Sequence, residues 1–188
     1  MSLLPLIQPG EGNEAQNAFL AQVPPINLFK ALANTPKGGD LVARLGGVIL
    51  YQTRLDPKLR ELAILRAAHM AGSDYEVGHH ERIGRDVGLT EAQLAAVRND
   101  GDIHLLPQPE RIVTQWSEEV VLERRASSSL VREALALLGE EQTAELGLTV
   151  AYYLMVAFFL NSFEVPFEGA EFKDGVNIRQ RPASVSDR

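Results

Sequence analysis

Between Asp56 and Gly88 the chain spells out two helices joined at a single glycine, and that joint constrains everything around it. Asp56-Pro57 is a helix-start signal: an N-cap, then a proline whose missing N–H costs nothing at the first helical position. The run Glu61-Leu-Ala-Ile-Leu-Arg-Ala-Ala-His-Met-Ala-Gly72 continues as helix and stops at the glycine. Ser73-Asp-Tyr-Glu76-Val-Gly-His79-His80 opens the next helix at once, and Gly88 closes it. In the first helix Leu59, Leu62, Ala63, Leu65, Ala67 and Met70 fall near one apolar face. A chain that folds back at Gly72 brings Glu61 opposite the first turns of the second helix. Glu76 and His80 stand one turn apart on one face of that helix.

The remaining punctuation is also helical. Helices are expected over 13–22, over 27–34 with Asn27 as cap, and over 40–51, where Asp40 restarts the chain after the break Pro36-Lys-Gly-Gly39. Residues 75–87 form the helix that carries Glu76 and His80. Thr90-Glu-Ala-Gln93 is a capping box for a helix ending near Asn99-Asp-Gly101. Further helices are expected over 109–125, from Ser127-Ser-Ser129 to Gly139, and over 140–163. Strand alternation is absent, so the fold class is all-α. The organisation expected is an N-terminal helical extension (1–50), a main helical domain (51–165) and a polar tail (166–188), extended or disordered, with one globular unit overall.

Composition narrows the function. With 188 residues and 45% hydrophobic content the chain can bury a core. A formal charge of −7 speaks against nucleic acid or an anionic membrane surface as partner. The chain has no cysteine. Disulfides, thiolate metal sites and thiol redox catalysis are therefore excluded, and a cytoplasmic setting fits. The start, Met-Ser-Leu-Leu-Pro-Leu-Ile, lacks the cationic and apolar regions of a secretory signal. The uncharged run 147–163 is short for a membrane span and lacks basic flanks. It is expected to be the central helix of the fold, covered in part by another subunit.

Two carboxylates and an imidazole gathered at a helix start are the raw material of proton transfer. The expected catalytic residues are His80 as general acid/base, Glu61 as the group that orients or relays to it, and Glu76 as a second carboxylate. Ser73, Tyr75 and His79 are expected to contact substrate, where free backbone N–H groups favour a carboxylate or an oxyanion. Structural roles compete with these. Ser73-x-x-Glu76 is also a capping box, and Glu61 could pair with Arg66 or Arg82. Glu76-Val-Gly-His79 has the Glu-x-x-His spacing that dinuclear carboxylate sites use twice. It occurs once here, so no metal and no cofactor are expected.

These residues resemble the carboxymuconolactone decarboxylase and AhpD-like superfamily. Its redox members carry Glu, then Cys-x-x-Cys, then His; Glu61, Ser73, Glu76 and His80 fall on that frame without a gap. Tyr75-Glu76, a following His and Gly-Leu-Thr-Glu resemble a branch in which glutamate replaces the second cysteine; that branch often has Trp where Val77 stands. The resemblance implies a compact helical fold assembled as a trimer or hexamer, with Glu61 and His80 as proton-relay residues. It implies a cofactor-free, lyase-type enzyme acting on a carboxylated lactone or related small acid. An AhpD-like peroxidase or antioxidant role is the superfamily alternative, disfavoured because exchange needs a thiolate. A non-catalytic module for oligomerisation or ligand binding is the third reading.

Overall fold

A computed structural model describes residues 2–168, so the tail expected beyond them lies outside the described residues. The order is α1 (Glu14–Leu20), α2 (Asn27–Leu32), α3 (Pro36–Tyr51), α4 (Pro57–Met70), α5 (Asp74–Asp86), α6 (Glu91–Ala96), a 3-10 turn (Ile103–Leu105), α7 (Gln108–Glu123) and α8 (Ser128–Ser162). No strand occurs among the described residues, and the all-α expectation holds.

The described residues divide into two compact units, 2–52 with 160–168, and 53–159. In the first, Asn13 and Gln16 close a capping box at the start of α1. Phe19 of α1 meets Phe29 of α2 edge-to-face, with ring centroids 6.2 Å apart. The Leu3 N–H donates to the Phe163 carbonyl at 2.8 Å, and the Asn34 side-chain amide donates to the Pro5 carbonyl at 2.8 Å.

Three expectations fail in this unit. Asn27 is the first helical residue of α2 rather than its cap, and its side-chain amide donates to the Pro166 carbonyl at 3.0 Å. Pro36-Lys-Gly-Gly39 does not break the chain; α3 begins at Pro36 and runs through both glycines. Proline suits a first helical position, and Gly39 is there for packing. A Cβ on Gly39 would stand 2.9 Å from the Phe19 ring and 3.1 Å from the Leu32 carbonyl oxygen. Asp40, expected as a cap, instead pairs with Arg44 one turn on.

The second unit is built around α4. Asp56 caps it as expected, accepting from the Lys58 and Leu59 N–H groups. Every residue from Leu59 to Ala68 is buried, so α4 has no solvent face. The single apolar face expected for it is therefore too narrow a description. Helix α7 packs along it through Ile112, Val113 and Trp116, and the Ser117 hydroxyl donates to the Ala63 carbonyl at 2.8 Å. Arg66 is held by the Val97 and Arg98 carbonyls and by the Glu118 carboxylate. Glu145 of α8 accepts the Arg54 and Leu55 N–H groups at 2.9 and 2.8 Å, anchoring α8 to the entry of α4.

Helix α8 is interrupted at Gly139 (φ 80°), where the sequence places a helix end, so it acts as two rods. The second rod buries Leu146, Val150, Leu154 and Ala157 and leaves Leu148, Met155 and Phe158 exposed on its other side. By length and composition α8 could cross a membrane, but 56% of its most apolar window is buried inside the protein. Burial of that extent is what a core helix shows.

Two of the four α3 glycines make the packing testable. Gly39→Val should cost about 1–3 kcal/mol through overpacking, read as a lowered urea midpoint. Gly47→Ala, where an added Cβ meets nothing within 4 Å, should leave the midpoint unchanged or raise it.

Candidate active site

The site is made by the joint between α4 and α5. The Gly72 N–H donates to the His69 carbonyl at 3.1 Å and the Ser73 N–H to the Ala68 carbonyl at 3.0 Å. That pair of bonds is a Schellman closure, and Gly72 takes the left-handed conformation (φ 63°) it requires. Ser73 therefore ends one helix and begins the next with no linker between them. Its N–H is already spent on Ala68, which forbids the capping box expected from Ser73-x-x-Glu76, since the box needs that N–H for the glutamate. The Ser73 side chain makes no cap bond either. Its hydroxyl is buried without a hydrogen-bond partner among the described residues.

Glu76, released from capping, turns to His80. The His80 Nε2 lies 3.4 Å from Glu76 Oε2, an ion-pair distance, while Nδ1–H donates to Glu61 Oε2 at 2.6 Å. The other oxygen of Glu61, Oε1, accepts the Arg60 Nε–H at 2.9 Å. All four side chains are removed from solvent: the residues Arg60, Glu61, Glu76 and His80 are 3%, 0%, 3% and 4% exposed. From α8 the Tyr153 ring meets His80 edge-to-face, centroids 4.6 Å apart, and Tyr152 meets Tyr153 the same way at 5.1 Å.

Burial pushes His80 toward the neutral form, but the Glu61 charge and hydrogen bond, with Glu76 adding to them, overcome it and raise its pKa to about 9. At neutral pH the ring is an imidazolium between two carboxylates. Burial, reinforced by the Glu76 charge, holds the Tyr152 phenol above its ordinary range. Burial, with the Glu61 charge next, does the same to Tyr153. Both phenols therefore remain hydroxyl donors.

The structure brings Glu61, Glu76 and His80 together as the folding-back of α5 implied. Tyr75 and His79 pair with each other, rings 4.8 Å apart, and both are buried on α5. Glu61 does not pair with Arg66, which is engaged with Glu118. Its cation is Arg60, which the sequence reading passed over because adjacent helical residues point about 100° apart. Tyr152 and Tyr153 were passed over inside an apolar run that reads as core. Among the described residues no group of three or more His, Asp or Glu is arranged to hold a metal ion; both nitrogens of His80 face carboxylates.

Residues 36–105 match the model of the carboxymuconolactone decarboxylase family. A crystal structure of an Agrobacterium tumefaciens protein of unknown function, proposed there to be the antioxidant defence protein AhpD, superposes with a TM-score of 0.66. That likeness covers 72% of this chain and 94% of the other at 17% identity, and it establishes the fold. The match over residues 36–105 and the shared fold agree with the resemblance to the carboxymuconolactone decarboxylase and AhpD-like superfamily. No curated protein matches it in sequence. The family match starts with α3, upstream of the α4–α5 hairpin that carries the motif. On the frame of the superfamily's redox members, Ser73 and Glu76 occupy the two sulfur positions, and neither can exchange with a disulfide.

The raised His80 value has a consequence for stability. Below about pH 6.5, its ordinary value, folded and unfolded chains both carry the proton and the stabilisation is complete. Above that the unfolded chain releases the proton while the folded chain keeps it to about pH 9. Unfolding free energy should therefore fall as pH rises from about 6.5 to 9, and His80→Gln should flatten that slope in urea titrations.

Proposed function

We propose that this chain is a cofactor-free enzyme that moves protons on a small acid, a carboxylated lactone or a related compound, without thiol chemistry. The observation that carries the reading is the buried chain Glu61–His80–Glu76, closed at 2.6 and 3.4 Å. Its parts divide the work. His80, charged at neutral pH, donates a proton through Nε2. Glu76, the carboxylate beside that nitrogen, receives one from the substrate. Glu61 holds Nδ1–H and so fixes the ring's orientation and its charge. The unpartnered Ser73 hydroxyl, with the Tyr75–His79 pair on the same helix, supplies contacts for the substrate's polar atoms. Removing water from the cluster strengthens each of these interactions.

An antioxidant role rests on the superfamily's redox members, whose sulfur chemistry this cysteine-free chain lacks. The test uses purified protein and a panel of carboxylated lactones, followed by loss of the lactone and release of carbon dioxide. His80→Gln should lower turnover by about 10²–10⁴-fold while the far-ultraviolet circular dichroism spectrum stays unchanged. In the wild type the rate should fall as pH rises through about 9, because the acid form of His80 is lost there. A His80→Gln variant that turns over normally rejects the reading.

The partner we propose is another copy of the chain, in a trimer or hexamer, within the cytoplasm. Ala144, Leu148, Ala151, Met155 and Phe158 recur at alternating steps of four and three on α8, and all are exposed. That spacing suits helix-on-helix packing between subunits. Met155→Glu should lower the mass measured by light scattering. An unchanged mass, or a wild-type monomer, would remove this support.

A further inference from the structure

Arg60 belongs to no motif, yet it is the least expendable charge around His80. Neighbouring residues on a helix point apart, and still the Arg60 guanidinium bends along α4 to reach Glu61 Oε1 at 2.9 Å. Both partners are buried. A cation taken out of water this fully needs a charged partner beside it, and removing either partner leaves the other uncompensated. The Glu61 carboxylate is thereby a bridge, with the guanidinium on one oxygen and the imidazole on the other.

We propose that Arg60 is the positioning residue that keeps the proton of the Glu61–His80–Glu76 cluster releasable. This rests on reading the cluster as a site of proton transfer. The groups facing His80 are Glu61 from α4, with Arg60 behind it, Glu76 from its own helix, and Tyr153 from α8, with Tyr152 against Tyr153. With His80 protonated, two cations balance two carboxylates. Remove Arg60, and an excess negative charge is left among buried side chains. Every remaining member then holds protons more tightly, and His80 becomes a poorer donor. The guanidinium also draws off part of the charge that Glu61 would otherwise commit wholly to the imidazolium. Because arginine does not lose its proton in proteins, this bias is fixed across the working pH range. The field of Arg60 reaches Tyr153 as well, where it opposes that of Glu61.

The test reads His80 directly and needs no substrate. Imidazole resonances are titrated by nuclear magnetic resonance in the wild type, Arg60→Gln and Arg60→Lys, with His80 assigned by its loss in His80→Gln. Arg60→Gln should move the His80 midpoint upward by about one pH unit, and Arg60→Lys, which keeps the charge, should restore most of it. A guanidinium that served packing alone would leave the midpoint where it is, and that result overturns the proposal. If Arg60→Gln does not fold, the wild type decides. The Arg60 Nε–H resonance should titrate with the His80 midpoint, and a resonance flat through that range rejects the coupling. The outcome is separable from the proposed function: a normal turnover in His80→Gln would reject the enzyme reading and leave these titrations interpretable.

Discussion

A carboxylate with no solvent exposure organises this fold. Burying an ion is costly unless both its charge and its hydrogen-bonding capacity are met. Glu61 meets both through one neighbour in sequence and one residue on the following helix. The second partner can arrive only if α5 turns straight back along α4. The Schellman closure at Gly72 and the ion cluster are therefore two views of one requirement. Breaking such a buried pair by deleting one partner typically costs about 3–5 kcal/mol, because the other charge is left buried and uncompensated.

The superfamily frame gives that requirement a chemical meaning. In redox members the positions of Ser73 and Glu76 hold sulfur, and the glutamate and histidine serve it. In the proposed reading the same two residues serve an oxygen acid, and the group receiving the proton is a carboxylate. A cluster balanced at two positive and two negative charges can be buried as a unit, and it can pass a proton without building up a large isolated charge.

Local signals were the legible ones. Asp56-Pro57, Thr90 with Gln93, Gly88 and Gly139 each announce a boundary through the geometry of a few consecutive residues, and each boundary is where the sequence puts it. The Glu61–Glu76–His80 meeting was legible too, because one glycine leaves little freedom between two helices. The failures have a shared cause, since each depends on a contact that the short motif itself does not specify. Gly38-Gly39 reads as a breaker until Phe19 and Leu32 are seen pressed against it. Ser73-x-x-Glu76 reads as a capping box until the Ser73 N–H is found on Ala68. Arg60 and Tyr153 had no signal of their own; only the packed arrangement places them on Glu61 and His80.

The linkerless joint at Gly72 also limits how such a protein can change over time. One residue inserted there would turn α5 by about 100° about its axis and carry Glu76 and His80 away from Glu61 together. Substitutions at 73 and 76 disturb neither the Schellman bonds, which are made by backbone, nor the Glu61–His80 contact. The register between the helices is thus frozen while the two chemical positions on it stay open. On the proposed reading, the chemistry at this hairpin is set by the side chains at 73 and 76, and its geometry by the hairpin's length.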